Sequence, residues 1–84
     1  MTSGLEGRVA VVTGAAGGLG AASALRLSRE GCSVVAVDLD GDGARKVAES
    51  LPGASIAVAA DVSVEEDVGR YLDEATNSFG RRRF

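Results

Sequence analysis

The apolar residues of this chain form three short continuous runs, and longer stretches of mixed polarity follow each of them. The runs cover residues 9–12, 34–37 and 56–60 and consist mainly of valine and alanine. None shows the alternation expected of a strand that has one wet face. Continuous runs of this kind are typical of strands that are buried on both faces of a parallel sheet. The pattern therefore predicts three parallel strands covered by helices.

Helical spacing follows each predicted strand. The first helix is predicted over residues 18–30, because Gly31 can form a left-handed C-cap there. The second ends before the Pro-Gly pair at 52–53. The third begins near Ser63, which lies three residues before Glu66, the spacing of a capping box. The predicted buried stripes are Ala44, Val47, Ala48 and Leu51 in the second helix, and Val64, Val68, Tyr71, Leu72, Ala75 and Phe79 in the third.

The order strand, helix, strand, helix, strand, helix predicts an α/β fold with right-handed crossovers, namely the N-terminal half of a doubly wound parallel sheet. A chain of 84 residues has room for one small domain. In a complete sheet of this type a fourth strand lies beside the first. We therefore interpret residues 1–84 as a single incomplete domain whose edge at 9–12 is exposed to pairing with another chain.

Composition places the chain among soluble globular proteins, with 45% hydrophobic and 25% charged residues. The net charge of −3 argues against a nucleic-acid-binding domain, and the three arginines at 81–83 are interpreted as a solvated tail. No signal sequence or membrane span is indicated. Cys32 stands alone and is predicted to be a small buried hydrophobic residue. These features predict a cytoplasmic protein without nucleic-acid or membrane partners.

A glycine-rich loop, Thr-Gly-Ala-Ala-Gly-Gly-Leu-Gly at residues 13–20, joins the first strand to the first helix. Glycines at this turn permit unusual dihedral angles, close approach to a phosphate and tight packing of the helix on the strand. The helix N-terminus adds N–H groups and a positive dipole end. The loop therefore predicts a pyrophosphate site, although glycines can also serve the turn alone. The candidate residues are Thr13, Gly14, Gly17, Gly18, Leu19 and Gly20.

Asp38 ends the second predicted strand, 18 residues after Gly20. This is near the spacing of about 20 at which an acidic residue accepts hydrogen bonds from the adenosine ribose of a dinucleotide. Asp40 and Asp42 are better placed to cap the following helix. A carboxylate repels a 2′-phosphate, and neither Leu39 nor residues 15–17 supply a cation. NAD is therefore predicted rather than NADP, with Asp38 and Leu39 as cofactor-binding residues.

Two common glycine motifs do not match the loop. A P-loop would need Gly-Lys-Ser or Gly-Lys-Thr after four spacer residues, but Leu19 stands at that distance from Gly14 and no lysine is near. The pattern Gly-x-Gly-x-x-Gly would need a glycine where Ser23 stands. The form Thr-Gly-x-x-x-Gly-x-Gly instead resembles the short-chain dehydrogenase/reductase family. The resemblance covers residues 7–80 and includes Asp38 and the Ala-Asp-Val-Ser sequence at 60–63. It implies an NAD-binding segment of the Rossmann type.

The resemblance also implies roles for individual residues. Leu19 would donate its backbone N–H to the pyrophosphate and pack its side chain on the sheet. Asp61 would accept a hydrogen bond from the exocyclic amine of adenine, and the N–H of Val62 would reach a ring nitrogen. Asp61 can alternatively be a turn residue that ends the third strand.

Similar proteins continue beyond Gly80 into a fourth strand ending in Asn-Asn-Ala-Gly, then a catalytic Ser and a Tyr-x-x-x-Lys pair. This sequence lacks them, since Tyr71 is followed four residues later by Ala75 and Lys46 lies on another predicted helix. Histidine is absent. We therefore assign no catalytic residue and no metal ligand, and we predict that the chain alone is inactive.

As the resemblance implies, the parent protein would transfer a hydride between NAD and an alcohol or ketone. Two alternatives remain open. The chain can be a non-catalytic dinucleotide-binding module, or an interaction fragment that pairs its exposed strand edge with a partner. A homo-oligomer of the full-length parent is also left open.

Overall fold

The computed structural model of the chain describes residues 7–61, 63 and 65–79, without the side chains at 65–68, 71, 72 and 74. Strands and helices alternate as predicted, although the third strand begins and ends one residue earlier. All elements except the last helix lie within residues 9–59. In order the elements are β1 (Val9–Thr13), α1 (Gly18–Arg29), β2 (Ser33–Asp38), α2 (Gly41–Ser50), β3 (Ser55–Ala59) and α3 (Glu65–Phe79).

The three strands form one parallel sheet in the order β1-β2-β3. Val35 at the centre of β2 is paired with Val11 of β1 and with Ile56 of β3. Because all three strands run in the same direction, their carboxyl ends meet at one edge of the sheet. This confirms the predicted parallel α/β architecture.

Helices cover both faces of the sheet. On one face, α1 and α2 pack on Val34 and Ala36 of β2, and on the other face Ala75 of α3 packs on Val35 and Val37. A right-handed crossover over the α3 face runs back toward β1, so a strand following α3 would lie beside β1. Within the described residues β1 is paired with β2 alone. The fold is thus half of a doubly wound sheet.

Burial differs among the strands. In β2 every residue but Asp38 is buried, as predicted for a strand covered on both faces. Val11 of β1 and Ile56 of β3 are only half-buried, so full burial of these two strands was a wrong prediction. The reason is that β1 and β3 are edge strands in the described part of the chain.

A side chain of α3 also contacts the end of β3. Arg70 of α3 donates a hydrogen bond to the carbonyl of Ala59.

The end of α1 has the predicted glycine cap. Gly31 has φ +95°. Its N–H donates to the carbonyl of Ser28, and the N–H of Cys32 donates to the carbonyl of Leu27, both at 3.1 Å. These two bonds define a Schellman motif. The cap turns the chain directly into β2.

The second and third helices begin differently. Asp40 caps α2 by accepting a hydrogen bond from the N–H of Gly43 at 3.0 Å. At the start of α3 the N–H of Ser63 donates to Asp61, and the Glu66 side chain lies outside the described residues. The capping box therefore stays a prediction. Leu51, expected in the α2 stripe, instead follows the helix as its C-cap and is buried.

Some predictions concern parts of the chain that the structure does not describe. The arginines at 81–83 and Val64 lie outside the described residues, as do the side chains of Val68, Tyr71 and Leu72. Of the predicted α3 stripe, Ala75 is buried and Phe79 is half-buried. Among the helices as described, none has the length and apolarity that a membrane span requires.

Ser28 connects α1 to the turn before β3. Its side chain is buried, and its hydroxyl accepts a hydrogen bond from the N–H of Gly53 at 2.9 Å. Replacing Ser28 with alanine is expected to lower the free energy of unfolding by about 0.5–1.5 kcal/mol, because the hydrogen bond from the Gly53 N–H is lost. Urea denaturation measures the change. The matched control is Ser50→Ala, which removes an exposed hydroxyl, and equal effects of both substitutions would contradict the assignment.

Candidate functional site

The predicted site residues that the structure describes meet at the carboxyl edge of the sheet. Thr13 at the end of β1 is paired with Val37, and Asp38 is paired with Ala59. Hydrogen bonds continue the ladder beyond the strands: the Ala15 N–H donates to Val37, and the N–H of residue 60 donates to Asp38, both at 3.1 Å. The glycine loop and the segments after β2 and β3 are therefore neighbours.

The glycine loop makes a tight turn immediately after β1. Gly14 has φ +66°, a left-handed conformation that favours glycine. The N–H of Gly17 donates to the carbonyl of Gly14 at 3.1 Å, and Gly17 then precedes the first residue of α1 without a capping side chain. The unusual dihedral angle that the sequence predicted for this turn occurs at Gly14.

Gly20 allows α1 to approach the loop closely. A Cβ atom at this position would lie 2.8 Å from the carbonyl carbon of Gly14 and 3.0 Å from the Cα of Ala15. By contrast, a Cβ on Gly14 or Gly18 would meet nothing within 4 Å. The loop therefore combines one position of close helix packing with open space at two others.

The start of α1 suits an anion. The N–H groups of Gly18, Leu19 and Gly20 occupy the first helical turn, where a helix offers no acceptor for them. The first turn contains no acidic residue. Because the helix dipole also places partial positive charge here, a phosphate group would be stabilised at this end.

The Leu19 side chain does not pack on the sheet, and the expectation that it would was wrong. It is 86% exposed. The face of α1 that packs on the sheet carries Ala24, and Leu19 lies roughly 140° around the helix from it at 3.6 residues per turn. Its backbone N–H nevertheless lies in the first turn, so the expected pyrophosphate contact stays a prediction.

Asp38 joins the loop to the start of α2. Its Oδ2 accepts a hydrogen bond from the N–H of Ala16 at 3.0 Å, and its Oδ1 accepts one from the N–H of Asp40 at 2.9 Å. A carboxylate offers about four acceptor positions, so the side chain retains capacity for further donors. The sequence predicted Asp38 as a ligand residue and Asp40 or Asp42 as the helix cap. The cap is Asp40, and the contact of Asp38 with Ala16 was not predicted.

A cleft of about 170 Å³ lies beside this carboxylate. Leu39 at the cleft is 74% exposed. Val37 and Ala60 line the cleft but were not among the predicted site residues, although each directly precedes an acidic residue near the end of a strand. The lining consists of Gly14, Val37, Asp38, Leu39, Ala60 and Asp61.

Asp61 also lines the cleft, and Ser63 donates two hydrogen bonds to its side chain. Its Oδ1 accepts the Ser63 N–H at 2.9 Å and the Ser63 hydroxyl at 2.6 Å. These two hydrogen bonds, the hydroxyl one first, lower the pKa of the Asp61 carboxyl. Both the predicted turn role and a place in the cleft thus apply to Asp61. Val62, its predicted companion, lies outside the described residues.

Replacing Ser63 with alanine is expected to raise the pKa of Asp61 toward its ordinary value, because the hydroxyl donor is lost. Since the folded-state pKa is depressed, the associated stabilisation is present above the ordinary pKa and disappears as pH falls through the folded value. An NMR titration of the Asp61 carboxyl carbon measures the shift. Ser63→Thr retains the hydroxyl and should keep the low pKa, and an unchanged pKa in Ser63→Ala would contradict the assignment.

The tyrosine and the lysine of this sequence do not form a described pair at this edge of the sheet. Lys46 is exposed on α2, and the Tyr71 side chain lies outside the described residues. Cys32 is buried, as predicted. Burial raises the pKa of its thiol, the negative charge of Glu30 raises it further and Arg8 lowers it. A raised pKa disfavours the reactive thiolate, so Cys32 has a packing role.

Comparison with known proteins agrees with this geometry. A family model described as "short chain dehydrogenase" matches residues 8–82. Human 3-hydroxyacyl-CoA dehydrogenase type-2 is 43% identical over 77 residues, which cover 92% of this chain and 30% of the human protein. The 3beta-hydroxysteroid dehydrogenase 1 of Eggerthella lenta is 46% identical over 80 residues, covering 90% of this chain and 31% of its own length.

One solved structure is similar to this chain in both fold and sequence. The 3-ketoacyl-(acyl-carrier-protein) reductase from Brucella melitensis, crystallised with NADH, superposes with a TM-score of 0.85 at 46% identity. The superposition covers 90% of this chain and 31% of the reductase. This chain thus spans about a third of the length of these relatives and corresponds to their N-terminal portion. Because the family match extends over nearly all of its residues, the chain belongs to the short-chain dehydrogenase family.

Proposed function

We propose that this chain is the NAD-binding N-terminal part of a short-chain oxidoreductase whose parent protein transfers a hydride between NAD and an alcohol or ketone. The observation that carries the proposal is the position of Asp38. Its carboxylate lies in a cleft at the carboxyl edge of a parallel sheet and contacts the glycine loop. Ligands of doubly wound sheets bind at this edge.

Each part of the dinucleotide has a candidate partner. The backbone amides of the first α1 turn would hold the pyrophosphate, with open space above Gly14 and Gly18. Asp38 would accept hydrogen bonds from the ribose hydroxyls, and Leu39 and Asp61 would face the adenine across the cleft. The complete proposed set is Thr13, Gly14, Gly17, Gly18, Leu19, Gly20, Asp38, Leu39, Asp61 and Val62.

A preference for NAD over NADP is supported by charge. A 2′-phosphate placed at the Asp38 carboxylate would be repelled, and the neighbouring Leu39 and Ala16 supply no cation. The Brucella melitensis relative was crystallised with NADH. Titration calorimetry of the chain should show binding of NADH and at least about tenfold weaker binding of NADPH, equivalent to roughly 1.4 kcal/mol. Equal affinities, or no binding of NADH by the folded chain, would overturn the proposal.

Bound NAD supplies the hydride chemistry, and the residues of this chain bind and orient it. We propose that the chain alone performs no turnover, because the family's catalytic Ser and Tyr-x-x-x-Lys pair have no counterpart in its sequence. The buried thiol of Cys32 supports a reducing compartment such as the cytoplasm. Incubation with NAD and a panel of alcohols should produce no NADH absorbance, and measurable turnover would contradict inactivity.

A second candidate function is supported by the outer edge of β1. In the described residues this strand pairs on one side only, with β2. An unpaired edge offers N–H and C=O groups to another strand, so the chain would associate with a partner or with itself. Size-exclusion chromatography distinguishes this candidate: concentration-dependent association supports it, and a monomer that binds NADH favours the nucleotide-binding module alone.

A further inference from the structure

The first turn of α2 contains two glycines, which ordinary helix propensity does not explain. Glycine lowers helix stability relative to alanine, by up to about 1 kcal/mol in a helix interior, and both Gly41 and Gly43 lie within α2. The structure gives each of them a packing reason. At Gly41 that reason is β3, because a Cβ there would lie 2.8 Å from the Cβ of Ala59. At Gly43 the neighbour is the glycine loop.

A Cβ atom on Gly43 would lie 2.7 Å from the Cβ of Ala16 and 2.5 Å from Oδ2 of Asp40. The Asp40 carboxylate is exposed and can rotate, but only by giving up the hydrogen bond from the Gly43 N–H with which it caps α2. The Cβ of Ala16 is fixed to the backbone of the loop and cannot move independently of it. Any side chain at position 43 must therefore displace either the loop or the start of α2.

Ala16 is held by contacts that converge on this point. Its N–H donates to Oδ2 of Asp38 at 3.0 Å, and the preceding Ala15 N–H donates to Val37. The other oxygen of Asp38 accepts the N–H of Asp40, whose own side chain accepts the N–H of Gly43. Three hydrogen bonds thus link Ala16, Asp38, Asp40 and Gly43 in series, and the two ends of the series lie close together, because a Cβ on Gly43 would meet the Cβ of Ala16. Displacing Ala16 would stretch the bond that orients the Asp38 carboxylate.

We propose that Gly43 is a positioning residue for the nucleotide site. Because glycine has no side chain, α2 packs closely against Ala16, and this packing keeps the Asp38 carboxylate bonded to the glycine loop. The inference rests on the proposed function for its consequence in nucleotide binding. Its structural part, the seating of the loop, is independent of any ligand. Gly43 acts through Ala16 and Asp38 and does not touch the nucleotide.

Three variants of the full chain test the proposal: Gly43→Ala, Gly69→Ala and the double substitution Ala16→Gly with Gly43→Ala. Gly69 is an exposed helical glycine of α3, and a Cβ there would meet nothing within 4 Å, so it is the matched control. Amide hydrogen exchange at residue 16 reports the hydrogen bond to Asp38. Calorimetry with NADH reports the nucleotide site. Circular dichroism verifies that each variant is folded.

In Gly43→Ala, exchange at residue 16 should become about tenfold faster and the Kd for NADH about tenfold higher, as expected for the loss of one hydrogen bond to a charged acceptor. Gly69→Ala should leave both unchanged and raise the melting temperature. The double variant should return to within about threefold of the original values, because it removes the facing methyl group.

Unchanged exchange in Gly43→Ala would overturn the proposal, as would failure of the double variant to recover. If Gly43→Ala does not fold, the double variant decides: a folded protein with the original exchange rate supports the proposal, and an unfolded one contradicts it. If the unmodified chain does not bind NADH, the proposed function fails, whereas the exchange measurement still decides the role of Gly43.

Discussion

Replacing Gly20 with alanine is expected to lower the free energy of unfolding by about 3 kcal/mol, at the upper end of the usual cost of overpacking. The new Cβ would lie 2.8 Å from the Gly14 carbonyl carbon and 3.0 Å from the Ala15 Cα. Both are backbone atoms that cannot rotate away. The substitution must therefore push α1 off the loop, which also moves the amides that face a pyrophosphate. Urea denaturation and NADH titration measure the two consequences.

The control for this change is Gly18→Ala, two residues earlier in the same helical turn. A Cβ at Gly18 would meet nothing within 4 Å. Its stability should therefore change by less than about 1 kcal/mol, in the direction of the higher helix propensity of alanine. If Gly20→Ala proved as stable as Gly18→Ala, close approach of α1 to the loop would not be the reason for the glycine.

Replacing Asp38 with alanine is expected to weaken NADH binding by about 100-fold or more, because hydrogen bonds from both ribose hydroxyls to a charged acceptor would be lost. The same change deprives the N–H groups of Ala16 and Asp40 of their acceptor. Repulsion of a 2′-phosphate also disappears, so the ratio of NADPH affinity to NADH affinity should rise. Calorimetric titration with both nucleotides measures the affinities and their ratio.

Asp42→Ala is the matched control, since it removes the same charge from the same segment. Asp42 is exposed in the first turn of α2, where its carboxylate contacts Arg45 at 2.9 Å. An exposed pair of this kind contributes little to stability, about 0–1 kcal/mol. Asp42→Ala should therefore bind NADH nearly as well as the unchanged chain. Equal losses in both variants would mean that Asp38 acts only through overall charge.

The parts of the site that sequence predicted depend on spacing along the chain. The glycine loop and Asp38 follow two strands that are recognisable from short apolar runs, and parallel strands bring their carboxyl ends together. Because β1 and β2 are neighbouring parallel strands, the loop that follows β1 and the Asp38 that ends β2 must lie close together. For this reason the fold class and the position of the candidate site were both predictable.

The features that sequence missed depend on packing between distant residues. The exposure of Leu19 follows from the rotation of α1 on the sheet, which places Ala24 on the buried face and Leu19 away from it. No local pattern reveals that Gly43 lies against Ala16, because 27 residues separate them. Likewise, half-burial of Val11 arises from the edge position of β1 and not from its own sequence.

The most direct test of the account is an NMR titration of the isotope-labelled chain with NADH. The account predicts that amide shifts concentrate at the glycine loop, the first turn of α1 and the residues lining the cleft, with Gly17, Gly18, Asp38 and Leu39 among the largest. Shifts concentrated elsewhere on the folded chain, such as the exposed face of α2 around Lys46, would contradict it. So would a spectrum of the folded chain that does not change as NADH is added.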